Sequence, residues 1–148
     1  MKKLMVAAAI AVASACANAD VAWSWWLDNK TATPDISLGI ASKCLAVDAL
    51  ELSALYSASP VRNGLQFTLF GINDSSASCA LQFAPWYNGG DDPCVQFAFV
   101  NSADDPCVQF GFLNMSDSAA VQLGLLNFDK KGFLPVFPFF NINPSIFD

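Results

Sequence analysis

Histidine is absent from the 148 residues. That removes Ser-His-Asp and Cys-His arrangements along with the commonest general base. Glutamate occurs once, at Glu51, so a pair of catalytic carboxylates would have to come from aspartates, most of them in turn-like segments. Basic residues number seven against thirteen acidic ones. No cluster of Lys and Arg exists to neutralise phosphates, which argues against nucleic acid and against an anionic membrane surface. The cysteines contain no Cys-x-x-Cys. Cys44, Cys79, Cys94 and Cys107 lie 35, 15 and 13 residues apart. With no histidine to help, that spacing does not suit zinc. Together these absences predict a protein that is not an enzyme and holds no cofactor.

One apolar run stands out, and it is short. Lys2 and Lys3 precede twelve apolar or small residues at 4–15, and Ala17-Asn18-Ala19 follows as an A-x-A site. This is the pattern of an export signal cleaved after Ala19. Twelve residues fall short of the ~20 a spanning helix needs. A second reading keeps Cys16 as a lipidated N-terminus after Ala13-Ser14-Ala15, although the usual leucine three residues before it is alanine here. Removal of residues 1–19 leaves five basic and thirteen acidic residues, a net charge of −8, in a single domain over 20–148. Four cysteines remain. In an oxidising compartment they are candidates for two disulfides among Cys44, Cys79, Cys94 and Cys107. The alternative is four thiols packed as small hydrophobes.

The chain is organised by a repeat over about 62–131. Leu65-Gln66-Phe67, Leu81-Gln82-Phe83, Val95-Gln96-Phe97, Val108-Gln109-Phe110 and Val121-Gln122-Leu123 open five copies. These copies end at Asn73, Asn88, Asn101, Asn114 and Asn127. The glutamines are 16, 14, 13 and 13 residues apart. Within a copy, large apolar residues alternate with Gln and then with a small residue (Thr68, Ala84, Ala98, Gly111, Gly124). A period of two is the signature of a strand. Earlier segments also read as strand: 20–27, 36–40 and, less regularly, 44–56. The closing segment, 132–148, carries Pro135 and Pro138, which cannot donate to a ladder, and is predicted to be an edge or cap.

Two all-β architectures write one strand repeatedly. In an antiparallel meander each copy is a strand plus a hairpin loop, and the sheet curls toward a barrel or sandwich. In a β-solenoid each copy is one coil. A straight seven-residue strand spans about 20 Å, and the six residues left in a thirteen-residue coil barely return that distance. Pairing Phe99 with Phe110, and Phe112 with Leu123, also keeps large residues on one face. The expectation is therefore the meander, with the solenoid as its alternative.

The copies, with the closing Gly-Phe-Leu-Pro-Val-Phe-Pro-Phe-Phe-Asn at 132–141, resemble the leptospiral-type bacterial surface-repeat proteins and their Gly-Leu-Gln-x-Gly-Leu-x-Asn units. The likeness covers roughly residues 34–143. This chain departs from the pattern in carrying phenylalanine for aliphatics and cysteines at the starts of repeats. The resemblance implies an envelope or surface location and transfers no catalytic residue.

Candidate sites are few. Asp91, Asp92, Asp104 and Asp105 occupy equivalent loops and are weak calcium candidates, since Asp is also a common turn residue and no EF-hand-type loop is present. In a meander their loops fall at alternate ends of the sheet. The glutamines read as a row that is solvated or internally hydrogen-bonded. Trp23, Trp25, Trp26, Trp86 and Tyr87 are expected in the core, with a membrane interface as the alternative. The expected function is a structural or adhesive interaction role in the bacterial envelope, at the periplasm, outer membrane or surface. The partner is unspecified, and membrane association and homo-oligomerisation stay open. The alternatives are a small outer-membrane β-barrel and a small barrel binding an apolar ligand.

Overall fold

A computed structural model describes residues 19–27, 33–62, 64–75 and 80–147. The expected export signal over 1–19, apart from Ala19, lies outside them, as do Cys16 and Cys79. The described strands build a parallel β-solenoid of about seven turns. β1 (Val21–Trp26), β2 (Ile36–Ser42) and β3 (Leu50–Ser57) each supply one rung. Later rungs carry two short strands about a bend: β4 (Leu65–Thr68) with β5 (Ile72–Ser75), and β6 (Leu81–Phe83) with β7 (Tyr87–Gly90). β8 (Val95–Phe97) with β9 (Val100–Ala103), and β10 (Val108–Phe110) with β11 (Leu113–Ser116), follow the same plan. β12 (Val121–Asp129) runs through both positions. β13 (Val136–Ile142) then turns back antiparallel along β12 and caps the stack, ahead of a 3-10 turn at Pro144–Phe147.

The expected antiparallel meander is therefore not the fold. Val95 pairs with Val108, and Val108 with Val121, in parallel and in register. The limit on reach does not apply, because no copy is one straight strand. The chain instead bends at the small residue. Ala84, Ala98 and Gly111 stand at this corner, and their N–H groups donate forward to Phe97, Phe110 and Leu123 carbonyls at 3.1–3.2 Å. A Cβ on Gly111 would lie 2.6 Å from Asn101 Nδ2, and one on Gly124 equally close to Asn114 Nδ2. The carbonyl of the preceding corner is closer still, Ala98 O at 2.5 Å from the first and Gly111 O nearer yet to the second, so backbone and asparagine together leave no room for a side chain at Gly111 and Gly124. Between 44 and 56, the strand begins only at Leu50.

The corner changes which residues face inward. Gln109 points in and Phe110 out, Gly111 makes the turn, Phe112 and Leu113 both point out, and Asn114 points in. The largest fully buried side chains include five glutamines, Glu51 and four asparagines. Apolar burial is limited to small side chains and a cluster of Cys44, Val47 and Val61. A polar interior is stable only if every group is paired, and stacking in register provides the pairs, as in other Gln and Asn ladders.

Two ladders result. Gln122 Nε2 donates to Gln109 Oε1 at 2.8 Å, and Gln109 to Gln96 at 2.8 Å. Gln96 donates to Gln82 at 2.6 Å, and Gln82 to Gln66 at 2.9 Å. The asparagines run the other way: Asn73 Nδ2 donates to Asn88 Oδ1 at 2.9 Å, Asn88 to Asn101 at 3.2 Å, Asn101 to Asn114 at 2.9 Å and Asn114 to Asn127 at 2.8 Å. Backbone carbonyls fix these directions. Asn101 Nδ2 also donates to the Phe110 carbonyl at 2.8 Å, and Gln82 Nε2 to the Gly89 carbonyl at 3.0 Å, where an amide oxygen could not serve.

The glutamine ladder ends on Glu51, which occupies the same inward row. Its Oε2 accepts from Gln66 Nε2 at 2.9 Å, and its Oε1 from Ser42 Oγ at 2.6 Å and Ser59 Oγ at 2.5 Å. A carboxylate accepts only, so it suits the end of a row that donates toward it. At the other end, Gln122 Oε1 has no hydrogen-bond partner among the described residues.

Candidate functional site

With amides inside, the rings stand outside, on either side of the corner. Phe67, Phe83, Phe97 and Phe110 are in register along the first side, with Trp23, Leu38 and Leu52 continuing the column toward the N-terminus. Trp86, Phe99 and Phe112 follow one another on the second side. Trp86 is 62 % exposed and Phe112 46 %. The expected core role is therefore corrected for Trp23, Trp25, Trp26 and Trp86, all of which are exposed; the inward positions of the Trp86 coil belong to Gln82, Ala84 and Asn88.

Rung spacing dictates the geometry. Neighbouring parallel strands lie about 4.8 Å apart, and rings in one rotamer then stack at that distance. Phe97 and Phe110 have centroids 4.7 Å apart and planes 4° from parallel; Phe99 and Phe112 are 4.8 Å and 8°. In these two pairs the rings cover one another's faces and show edges outward, whereas Phe67–Phe83 is tilted at 36° and Trp86–Phe99 meets edge to face at 61°. Edges suit apolar side chains, other aromatic rings in a T-shaped arrangement, or acyl chains. At the N-terminal coils the first column opens into an apolar groove of about 580 Å³ lined by Trp23, Trp25, Leu38, Ile40, Leu52 and Leu69, among others.

Charge is kept away from this corner, on the turn that closes each coil. Asp91, Asp104, Asp117 and Lys130 follow positions held in register by the second set of strands. Asp104 N–H donates to the Asp91 carbonyl and Asp117 N–H to that of Asp104, each at 3.0 Å. The acidic loops thus share one edge rather than alternating between two ends. Lys130 Nζ meets Asp117 Oδ1 at 2.6 Å. Asp91, Asp92, Asp104 and Asp105 are brought together, yet the described residues include no group of three or more His, Cys, Asp or Glu arranged to hold a metal ion. Partial burial, with Asp104, Asp92 and Asp74 nearby, raises the Asp91 carboxyl above its ordinary range. The folded state then holds a proton that the unfolded chain gives up. Stability contributed here is present at low pH and is lost as pH rises from the ordinary carboxylate range through the raised Asp91 value. Urea unfolding of Asp91→Asn at pH 4 and pH 7 is expected to show a flatter pH dependence than the parent, with a gain at pH 7 of about half a kcal/mol, small because the group is exposed.

Of the cysteines, Cys44 is buried, its Sγ 3.5 Å from Ser37 Oγ. Cys94 and Cys107 are exposed thiols. In the meander they would have begun neighbouring strands at opposite ends; the parallel register places them side by side instead. The signal for the corner was present in the chain. Gln and Asn are separated by five residues in the last three copies and by seven in the first. An odd spacing puts them on opposite faces of a straight strand, so a strand that buries both has to turn between them.

No family model matches the chain, and no curated protein or solved structure matches it.

Proposed function

We propose that this chain is an exported, non-catalytic interaction module of the bacterial cell envelope, with the aromatic corner as its adhesive face. The observation that carries the proposal is the inversion of the usual layout: amides fill the interior while Phe83, Phe97, Phe99 and Phe112 stay exposed. Contiguous exposed apolar surface of this kind marks interaction sites. The N-terminal export pattern and the likeness of the repeats to leptospiral-type surface proteins support the location. The columns stand on a hydrogen-bonded stack, so their side chains are held in place before contact and little ordering entropy is left to lose. Segregation of the acids onto the far turn leaves the corner uncharged, which favours an apolar partner surface over a charged one.

Cell fractionation tests this. The protein is expected in the envelope fraction, released by carbonate without detergent. A Phe97→Ser, Phe99→Ser, Phe110→Ser, Phe112→Ser variant is expected to move to the soluble fraction while keeping its β circular-dichroism spectrum. A folded variant that stays bound like the parent sinks the adhesive corner. Release of the parent by detergent alone would instead favour immersion of the rings in lipid.

A further inference from the structure

We propose that Cys94 and Cys107 are an oxidation site, forming a disulfide that staples two consecutive coils. β8 and β10 pair in parallel from Val95↔Val108, so the cysteines immediately before them are neighbours in the same ladder. Val108 N–H donates to the Cys94 carbonyl at 2.8 Å, and Cys107 N–H to the Pro93 carbonyl at 3.2 Å. Strands at this pairing distance bring the two Cα atoms to about 5 Å, inside the range that a disulfide spans. Both side chains leave the coil on its outer surface, and they are close enough to hydrogen-bond. Burial and this contact with Cys94 push the Cys107 thiol up, which slows its attack on an oxidant and leaves the geometry of the pair unchanged.

The chemistry is thiol–disulfide exchange with a small-molecule or protein disulfide, such as glutathione disulfide. One thiolate attacks a sulfur of the oxidant and displaces a thiol. The second thiolate then attacks the mixed disulfide and displaces another. Two electrons pass to the oxidant, and the two protons leave on its two released thiols. The bond would hold together the rungs of Gln96 and Gln109, which carry the stacked pairs Phe97–Phe110 and Phe99–Phe112. It fixes the spacing of the adhesive corner at its middle. Cys44 is shut inside the coil and does not compete.

The export reading matters here only for the supply of oxidant; the geometry is independent of it. The test therefore uses the purified folded chain with glutathione disulfide, followed by maleimide labelling and non-reducing digestion with a protease that cuts before aspartate. Asp104 lies between the two cysteines, so their peptides separate unless bonded. The expected result is a Cys94–Cys107 linked pair, with maleimide uptake lost at both positions and regained after reduction. The same oxidation in denaturant is expected to yield mixed pairings, showing that the fold selects the bond. Persistent labelling of both thiols in the folded protein, or a bond from either to Cys79, overturns the proposal. Failure of export would appear in cell fractionation and leave this result unchanged.

Discussion

Gln96→Glu, a change of one atom type at constant shape, is expected to destabilise the protein by about 4 kcal/mol at neutral pH. Gln96 Nε2 lies 2.6 Å from Gln82 Oε1, and its own Oε1 accepts from Gln109. Glutamate keeps the second contact and replaces the first donor with an oxygen. Two acceptors then face each other in a fully buried site, and a charge is left there without a cation. The cost depends on the charge. The substituted carboxyl is held protonated in the folded state more tightly than in the unfolded chain, so stability recovers as pH falls toward the ordinary carboxylate range and is lost as pH rises above it. Urea titrations at pH 4 and pH 7 read this out. Equal loss at both values would mean that ladder direction is not what stabilises the stack. Gln96→Ala supplies the control: it loses the same bonds and leaves a cavity, at about 3 kcal/mol, with little dependence on pH.

The converse experiment is at Glu51, where the acceptor-only side chain is native. Glu51→Leu removes the acceptor for Ser42, Ser59 and Gln66 together. Buried donors stripped of partners cost about 1–3 kcal/mol each. Gln66 keeps Ser57 Oγ at 2.9 Å and Ser42 Oγ keeps Ser53 Oγ, which limits their shares. The expected loss is about 3–5 kcal/mol, measured as a fall in the urea midpoint at unchanged slope. Glu51→Gln is expected to cost far less, about 1 kcal/mol. An amide there can turn its oxygen toward Gln66 and its nitrogen toward the serine hydroxyls, which accept as well as donate. A Glu51→Leu variant as stable as Glu51→Gln would show that the ladder does not depend on its terminal acceptor.

The strand character, the repeat and the all-β class were readable because side-chain alternation is local: Val108, Gln109, Phe110 and Gly111 alternate with period two whichever rung they meet next. Direction of pairing is not local. In-register parallel stacking and antiparallel hairpins both set large residues beside large and small beside small, so matching Ala98 with Gly111 could not separate them. The bend could, through the odd spacing of Gln96 and Asn101, but only for a reader who first allows a row of glutamines to be buried. General burial tendencies argue against that, and the tendency gives way here because a stack pairs each amide with its own copy. The aromatic corner was hidden by the same assumption: Trp86 reads as core until the core is found to be amide. Cys94 and Cys107 were legible as a disulfide candidate, although the meander would have kept them apart.

The opposed directions of the two amide ladders bear on how long such a protein can be. A single ladder pointing one way would align its small dipoles rung upon rung, as the peptide groups of a helix do, and leave a partial charge of opposite sign at each end. Here the glutamine of a coil points its nitrogen toward the N-terminus and the asparagine of the same coil points its nitrogen toward the C-terminus. The two ladder amides of each thirteen-residue unit therefore oppose one another in polarity, and each pairs with its copies in the neighbouring units. Only the ends differ: Glu51 accepts from Gln66 at one, and the Phe137 carbonyl of β13 accepts from Asn127 at the other. Duplication or loss of a whole unit between them changes the length of the aromatic corner without altering what the ends must do.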